Sequence, residues 1–334
     1  MTSPPLSEPP GPAAPPAERP LVERDGDGRL LTARLVGARH PGQWVSAALV
    51  LLLFAMLVNT LVTNQRFQWG VVGDYFANGS IMRGLLLTLW MTAAVMTCGF
   101  LIGIGLAAMR LSSNPILRTL SFGYVWLVRS VPPLVQLLFW YELASLYPQL
   151  SLGIPFGHEF VTVGTAHLFS GILAAFVGLT VDIAAFSAEI VRGGLLSVEP
   201  GQSEAAEALG LGRGRIFRRI VLPQAMPAIV PATGNLLIGL LKATSLVSVI
   251  AVQDLLYSAE LIYQANFLII PLLLVATLWY IILTTLLSIG QYFIERYYAR
   301  GKRHDPGPGR GLWQIAFGNL PVFGRVRNDL AGLA

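Results

Sequence analysis

The sequence predicts an all-α integral membrane protein with six transmembrane helices. Hydrophobic residues make up 54% of the 334 positions, whereas charged residues make up only 12%. A soluble domain carries about 25% charged residues, so this composition is typical of a chain that lies in lipid. Apolar stretches of about 20 residues recur along the chain, and each is long enough to cross a hydrocarbon core of about 30 Å as a helix.

Six apolar stretches have the required length. In order, they are 44–63, 84–109, 119–146, 167–191, 228–252 and 268–294. We expect each of them to be helical, because lipid offers no hydrogen-bond partner to an unpaired backbone group.

The cationic residues are concentrated in alternate connections between these stretches, and the first connection also holds Arg66 and Arg83. Arginines are frequent in the first 43 residues, between the second and third stretches, between the fourth and fifth, and after the sixth. The connections at 147–166 and 253–267 contain neither Lys nor Arg. The positive-inside rule therefore predicts that both termini are cytoplasmic. The net charge of +5 then reflects topology, and we expect no nucleic-acid partner.

The chain divides into five predicted parts. Residues 1–43 are Pro-rich and then basic, and we interpret them as a disordered cytoplasmic arm. We interpret 44–63 as an additional N-terminal membrane helix, 84–294 as a core of five membrane helices, 195–224 as a cytoplasmic loop within that core, and 295–334 as a basic cytoplasmic tail.

No motif of a soluble enzyme is present in the sequence. A GxxxxGK[ST] phosphate loop is absent, so we expect no nucleotide hydrolysis by this chain. The four histidines lack metal-ligand spacing, and we predict neither a metal nor a bound cofactor. Gly99 and Gly103 form a GxxxG pair, which predicts close packing of the second stretch against another helix.

A charged segment between the fourth and fifth stretches is the most informative part of the sequence. Residues 204–223 read EAAEALGLGRGRIFRRIVLP. Helix formers open the segment, Gly210, Gly212 and Gly214 interrupt it, and a helical pattern resumes at Arg213. We therefore expect two short helices joined by a glycine turn. Apolar and basic side chains alternate here, which suits either a groove on a partner protein or a helix resting on the lipid surface.

The spacing within this segment resembles the EAA loop of ABC-importer permeases. The matching positions are Glu204, Ala205, Ala206, Gly210, Ile220, Leu222 and Pro223. The flanking segments 84–89, 128–136, 185–194 and 241–246 are similar to the polar amino-acid permease subgroup. The resemblance covers about residues 80 to 300 and implies the type I ABC importer permease fold, with a cytoplasmic coupling helix that docks on an ATPase.

The same resemblance implies a set of partners. One docking loop per chain implies a second permease copy or a sister permease, two cytoplasmic ABC ATPase subunits that hold ATP and magnesium, and an extracytoplasmic solute-binding protein. The implied function is ATP-driven import of a polar amino acid across the bacterial cytoplasmic membrane by alternating access. The alternative from another class is an ATP-independent secondary transporter whose loop lies on the membrane surface.

Polar residues inside the apolar stretches indicate the substrate path, because a charge in a membrane helix normally faces a cavity or a partner. Asp182 and Glu189 share one helix face, and Arg192 is placed to pair with Glu189 as a structural ion pair. We expect Asp182 to line the path, either as a counter-ion to a substrate ammonium or paired with Lys242 or Arg129. The remaining candidates for this path are Gln136, Thr244 and Ser245.

Two explanations stay open for Thr244 and Ser245. Pro227 and Pro231 precede them in the fifth stretch, and prolines leave backbone carbonyls unpaired where a helix borders water or protein. This context favours a place beside the cavity. Hydroxyl groups in helices also bond to carbonyls of the preceding turn, which would make both residues structural.

Overall fold

The computed structural model describes residues 41–153, 158–165 and 170–299. The predicted arm at 1–43 and the predicted tail at 295–334 lie almost wholly outside these ranges. Contacts divide the chain into two units at Asn64 and Gln65.

The described part of the first unit is a single helix, α1, over Pro41–Thr63. Its apolar side chains are exposed all around the helix, and Leu49, Phe54 and Met56 are each more than half exposed. A helix that is apolar on every side is typical of a segment surrounded by lipid. The predicted first stretch, 44–63, lies within α1.

The described part of the second unit consists of helices and one small sheet. Its helices and strands are α2 Trp69–Phe76, α3 Gly79–Arg110, α4 Pro115–Ser130, α5 Pro133–Tyr141, α6 Leu143–Leu146, β1 Gln149–Gly153, β2 Glu159–Gly164, α7 Gly171–Leu196, α8 Pro200–Ala208, α9 Arg213–Ile216, α10 Leu222–Ala243, α11 Leu255–Asn266 and α12 Ile269–Ala299. A turn of 3-10 helix over Gln65–Phe67 precedes α2.

Five helices in the described residues are long and apolar enough to cross a membrane. They cover Val45–Thr63, Gly79–Arg110, Gly171–Leu196, Arg213–Ile250 and Ile269–Tyr298. The count rises to six only if the bent pair α4 and α5 is one span. The all-α membrane fold predicted from the sequence is confirmed.

The predicted third stretch, 119–146, is wrong as a single continuous helix. The chain bends by 100° between α4 and α5, at Val131, Pro132 and Pro133. Proline lacks an N–H donor, and it also forces the preceding residue out of the helical region. Val131 accordingly has extended backbone angles of −102° and 129°.

Four ordered elements lie in connections for which the sequence predicted none. Strands β1 and β2 pair antiparallel, with Gln149 opposite Gly164, and α2 lies between the first two spans. The connection 253–267 holds α11, whose N-cap Asp254 accepts a hydrogen bond from the N–H of Tyr257 at 2.8 Å. Each of these elements is too short to be recognised by its hydropathy.

The core of the second unit is built around α3 and α7, which pack more extensively than any other helix pair described. A Cβ atom added at Gly99 would lie 2.7 Å from Ile183 Cγ2, and one added at Gly103 would lie 2.5 Å from Ser187 Cβ. Real Cβ atoms do not approach so closely, and therefore only glycine fits at either position. The predicted role of the GxxxG pair in helix packing is confirmed.

Candidate functional site

The first part of the site is a helical hairpin, which we define as residues 200–216. Helix α8 begins with Pro200 at its first position, where the missing N–H costs no intrahelical hydrogen bond. Glu204 and Ala205 are exposed on α8, whereas Ala206 is 3% exposed and packs inward. The small side chain of Ala206 therefore forms the inner face of the hairpin.

Helix α8 ends in a Schellman motif at Gly210. The N–H of Gly210 donates to the carbonyl of Glu207 at 2.9 Å, and the N–H of Leu211 donates to the carbonyl of Ala206 at 3.1 Å. Gly210 has a φ of 76°, a left-handed conformation that glycine adopts without steric cost. The reversal of the chain thus depends on this glycine.

Two short helices, α8 and α9, flank a glycine turn as expected, but the second helix is not separate and the bend is not made by three glycines. Gly212 is an extended N-cap residue and Gly214 lies within α9, so Gly210 alone has a positive φ among the described glycines. From Arg213 the chain is helical through α9, a π-helical turn over Phe217–Val221, and α10. The second arm of the hairpin is therefore the first turn of the fifth span.

The outer surface of the hairpin is apolar at its tip and basic along its second arm. Leu209 is 82% exposed, and Phe217 just beyond the hairpin is 45% exposed. Four exposed arginines follow the tip, and none of them forms an ion pair with another described residue: Arg213, Arg215, Arg218 and Arg219. Further along, Ile220 is half-buried, while Leu222 and Pro223 are exposed.

The second part of the site is a set of polar residues on α4, α5 and α7. Asp182 is 9% exposed, and its Oδ1 lies 3.5 Å from Nε2 of Gln136. The same Nε2 donates to the carbonyls of Val128 and Val131, both at 2.9 Å. Gln136 therefore satisfies the backbone groups freed at the bend and also brings an amide beside Asp182.

Neither of the cations considered for Asp182 forms an ion pair with it. The Arg129 guanidinium lies over the ring of Phe186, with Cζ 5.0 Å from the ring centroid, and Lys242 is exposed on α10. Glu189 does pair with Arg192, whose Nη2 lies 2.8 Å from Oε2 of Glu189. The hydrogen-bond partner of Asp182 within the described residues is Gln136. The sequence predicted that Gln136 lines the substrate path but did not predict this contact.

The hydroxyl groups of Thr244 and Ser245 bond to their own helix. Thr244 Oγ1 donates to the carbonyl of Leu241 and Ser245 Oγ donates to the carbonyl of Lys242, both at 2.7 Å. These acceptors are three residues back because α10 continues as a 3-10 helix over Thr244–Ile250. Thr244 is fully buried. Of the two explanations, bonding to the preceding turn therefore describes this residue.

Comparison with known proteins identifies the class of this chain. Residues 99–300 match the family described as binding-protein-dependent transport system inner membrane component. The chain is 39% identical to the arginine transport system permease protein ArgU of Corynebacterium glutamicum over 79% of this chain and 82% of that protein.

A second relative and a solved structure agree with this assignment. The histidine/lysine/arginine/ornithine transport system permease protein HisQ of Escherichia coli is 30% identical over 69% of this chain and 99% of its own length. A crystal structure of an amino acid ABC transporter with histidines matches with a TM-score of 0.56 and 31% identity, covering 65% of this chain and 94% of that one.

The helices, the hairpin and the buried polar groups thus define a multi-pass membrane component of a transport system. The chain belongs to the binding-protein-dependent transport system inner membrane component family. The resemblance to ABC-importer permeases that the sequence indicated is confirmed.

Proposed function

We propose that this chain is the permease subunit of an ATP-driven importer that moves a polar amino acid into the cytoplasm. The observation that carries the proposal is the hairpin, a helical reversal with an exposed leucine at its tip. The arginines on its second arm form no ion pair within the part of the chain that the structure describes. An exposed apolar tip with a charged rim is suited to a groove on another protein. In this proposal a cytoplasmic ATPase subunit supplies that groove, holds ATP and magnesium, and performs the hydrolysis.

Helical continuity supports a mechanical role for the hairpin. Because α9, the π-helical turn and α10 run without interruption from Arg213 to Ala243, a displacement of the hairpin is transmitted along the fifth span. Movement of that span relative to α3 and α7 would open the path to one side of the membrane and then to the other. The π-helical turn supports this role, since such turns frequently lie at functional sites.

The names of the two relatives support a polar amino acid as the substrate. ArgU is named for arginine, and HisQ for histidine, lysine, arginine and ornithine. A buried Asp182 with an amide beside it and no cation bound to it among the described residues suits a substrate that carries an ammonium or guanidinium group. The proposed path therefore includes Asp182 and Gln136, with Arg129 near them.

The proposed assembly contains two permease chains, two ATPase subunits and an external solute-binding protein. Both termini and the hairpin lie on the cytoplasmic side in this proposal. The arginines of the hairpin, Arg110 at the end of α3 and Arg118 near the start of α4 obey the positive-inside rule with that orientation. The second permease chain is either another copy of this one or a sister chain.

Co-purification from native membranes tests the coupling role. We expect an ATPase subunit to accompany the tagged wild-type chain and to be lost with Gly210→Val, because a β-branched residue is strained at a φ of 76°. Gly210→Asn is the matched control, since asparagine tolerates the left-handed region. Gly105→Val is a second control, because Gly105 lies on α3 outside the hairpin and a Cβ atom there meets no atom within 4 Å in the described chain.

The outcomes separate the two functional classes. Retention of the ATPase by wild type and Gly210→Asn but not by Gly210→Val supports docking through the hairpin. Absence of any ATPase from the wild-type preparation, together with uptake that continues without ATP, would favour the secondary transporter with a hairpin on the lipid surface.

A further inference from the structure

A pocket of about 380 Å³ lies between the end of α3, one face of α4 and the inner half of α7. Its charged lining residues are Arg110, Arg129 and Glu189, and its aromatic lining residues are Phe122 and Trp126. A volume of this size falls within the range of pockets that hold small ligands. The pocket is separate from the contact between Asp182 and Gln136, and the sequence did not predict it.

Among the described residues, the positive charges of the pocket outnumber the negative charge beside them. Glu189 carries one negative charge, and it already forms the ion pair with Arg192. Arg110 and Arg129 form no ion pair with another residue of the described chain. The pocket and its rim therefore carry three guanidinium groups and one carboxylate, an arrangement that leaves room for an added anionic group.

One of these cations also has an unused donor that points away from water. Nη1 of Arg110 is buried and has no hydrogen-bond partner within the described residues. The guanidinium is held in place by Phe122, whose ring centroid lies 4.3 Å from Arg110 Cζ, and Arg129 is held by Phe186 in a similar way. A buried donor without a partner is costly, and a carboxylate in the pocket would supply an acceptor once the guanidinium turns this donor towards it.

We propose that this pocket binds the α-carboxylate of the transported amino acid through Arg110 and Arg129, with Glu189 facing its ammonium group. This proposal rests on the proposed function, since it takes an amino acid as the substrate. A planar guanidinium binds a carboxylate through two parallel hydrogen bonds, and a zwitterion needs charges of both signs close together. Glu189 favours a zwitterion over an anionic lipid headgroup such as that of phosphatidylglycerol, because a carboxylate in the pocket would repel the lipid phosphate.

The test compares ligands with and without the carboxylate. The permease and its ATPase are reconstituted together in nanodiscs, and the dissociation constants of L-arginine and of agmatine, its decarboxylated analogue, are measured. We expect Arg110→Gln to weaken L-arginine binding about tenfold and to leave agmatine binding unchanged. Arg110→Lys, which keeps the charge, restores part of the loss. Arg118→Gln changes neither value, because Arg118 is an exposed arginine on α4 outside the pocket.

Three results would overturn the assignment of the pocket. Equal weakening of both ligands by Arg110→Gln would mean that Arg110 acts through the fold. Unchanged L-arginine binding would mean that the carboxylate is held elsewhere. A third result concerns the lipid. If Arg110→Gln left L-arginine binding intact but the purified protein no longer retained phosphatidylglycerol, the occupant of the pocket would be a lipid phosphate.

A preceding uptake measurement keeps this proposal distinct from the proposed function. Wild-type complex with its binding protein is tested for ATP-driven uptake of L-arginine, L-histidine and L-glutamine into proteoliposomes. If the complex carries an amino acid other than L-arginine, that amino acid and its decarboxylated amine replace L-arginine and agmatine in the binding test. If none is carried, the proposed function fails together with the pocket; if one is carried but Arg110→Gln does not alter its affinity, only the pocket assignment fails.

Discussion

Glycines occupy critical positions both in the contact between α3 and α7 and in the hairpin, but their surroundings differ. A Cβ atom on Gly99 or Gly103 would overlap atoms of α7. A Cβ atom on Gly210 meets no described atom within 4 Å, yet its φ of 76° is unfavourable for a side chain. The first pair is required for close approach of two helices, whereas Gly210 is required for the direction of the chain.

This difference separates the tasks of the two regions. The contact between α3 and α7 is buried and has no space to adapt, so it keeps the transport core rigid. The hairpin is exposed and has few neighbours within its own chain, so its conformation is set locally and its surface remains free for a partner. Substitutions in the two regions are therefore expected to affect different measurable properties.

The largest effect is expected for Gly103→Val. Its side chain would meet Ser187 Cβ and main-chain atoms of Ala184 and Ala188, and backbone atoms cannot move aside without separating the helices. Overpacking costs roughly 1–3 kcal/mol or more, so we expect a large drop in melting temperature and loss of monodisperse protein in detergent.

Gly105→Val is the matched control for that substitution. Gly105 lies on the same helix, and a Cβ atom there meets no described atom within 4 Å. If both variants lost the same stability, valine in the helix rather than the contact with α7 would be responsible, and the comparison between the two regions would fail.

A pH-dependent stability is expected at the other end of α3. Asp254, 1% exposed, packs its main chain against Gly84 and shares a polar contact with Tyr280. Burial raises the pKa of Asp254 from 3.8 to about 6. The folded chain then binds more protons than the unfolded chain between these values, so stability falls as the pH rises from about 4 to about 6.

The size of this effect is on the order of 3 kcal/mol at most, because one unit of pKa corresponds to about 1.4 kcal/mol. Melting temperatures of wild type and Asp254→Asn are to be compared from pH 4 to 7. Asparagine keeps an oxygen that can accept the hydrogen bond from the N–H of Tyr257 and does not titrate. A difference between the two proteins that stays constant with pH would contradict the raised pKa.

We expect a substitution in the hairpin to change transport more than stability, which is the reverse of the effect expected in the core. We expect Gly210→Val to lower ATP-driven uptake several-fold while the melting temperature changes little, since strain of about 1–2 kcal/mol is confined to the turn. Gly210→Asn should retain uptake. A fall in melting temperature as large as that of Gly103→Val would show that the turn is part of the core.

The smallest effect is expected for Glu189→Gln on stability. The ion pair between Glu189 and Arg192 joins side chains that are 23% and 30% exposed, and pairs of this kind contribute about 0–1 kcal/mol. Thermal melting should therefore shift by only a few degrees, and Glu207→Gln on the exposed face of α8 serves as the control. A shift of ten degrees or more would place the ion pair among the elements that hold the core together.

Hydropathy predicted the long helices, because a membrane imposes one length and one composition on every span. It failed where short-range geometry decides the structure. The bend at Pro132 and Pro133 lay inside a stretch that is long and apolar enough overall to be one span, and the proline pair was the signal of it. Helix α11 was missed for the same reason, although Asp254 is a typical N-cap residue.

The site was predicted in part for related reasons. The pattern of Glu204, Ala205, Ala206 and Gly210 is local in sequence, and the reversal at Gly210 could be read directly from it. The contacts of Gln136 with Asp182 and of Arg110 with Phe122 could not, because each joins side chains on two different helices. Sequence reasoning identifies the residues that are unusual in a membrane, whereas their partners require the folded structure.

Site-specific crosslinking from the hairpin tip tests the central claim most directly. Cys98 is the single cysteine, so Cys98→Ser with Leu209→Cys provides one reactive thiol at the most exposed part of the hairpin, and Ser113→Cys between α3 and α4 is the control. In native membranes we expect the Leu209 position to crosslink to an ATPase subunit and the Ser113 position not to. Crosslinking of the Leu209 position to lipid alone, in membranes that contain the assembled ATPase, would contradict the account.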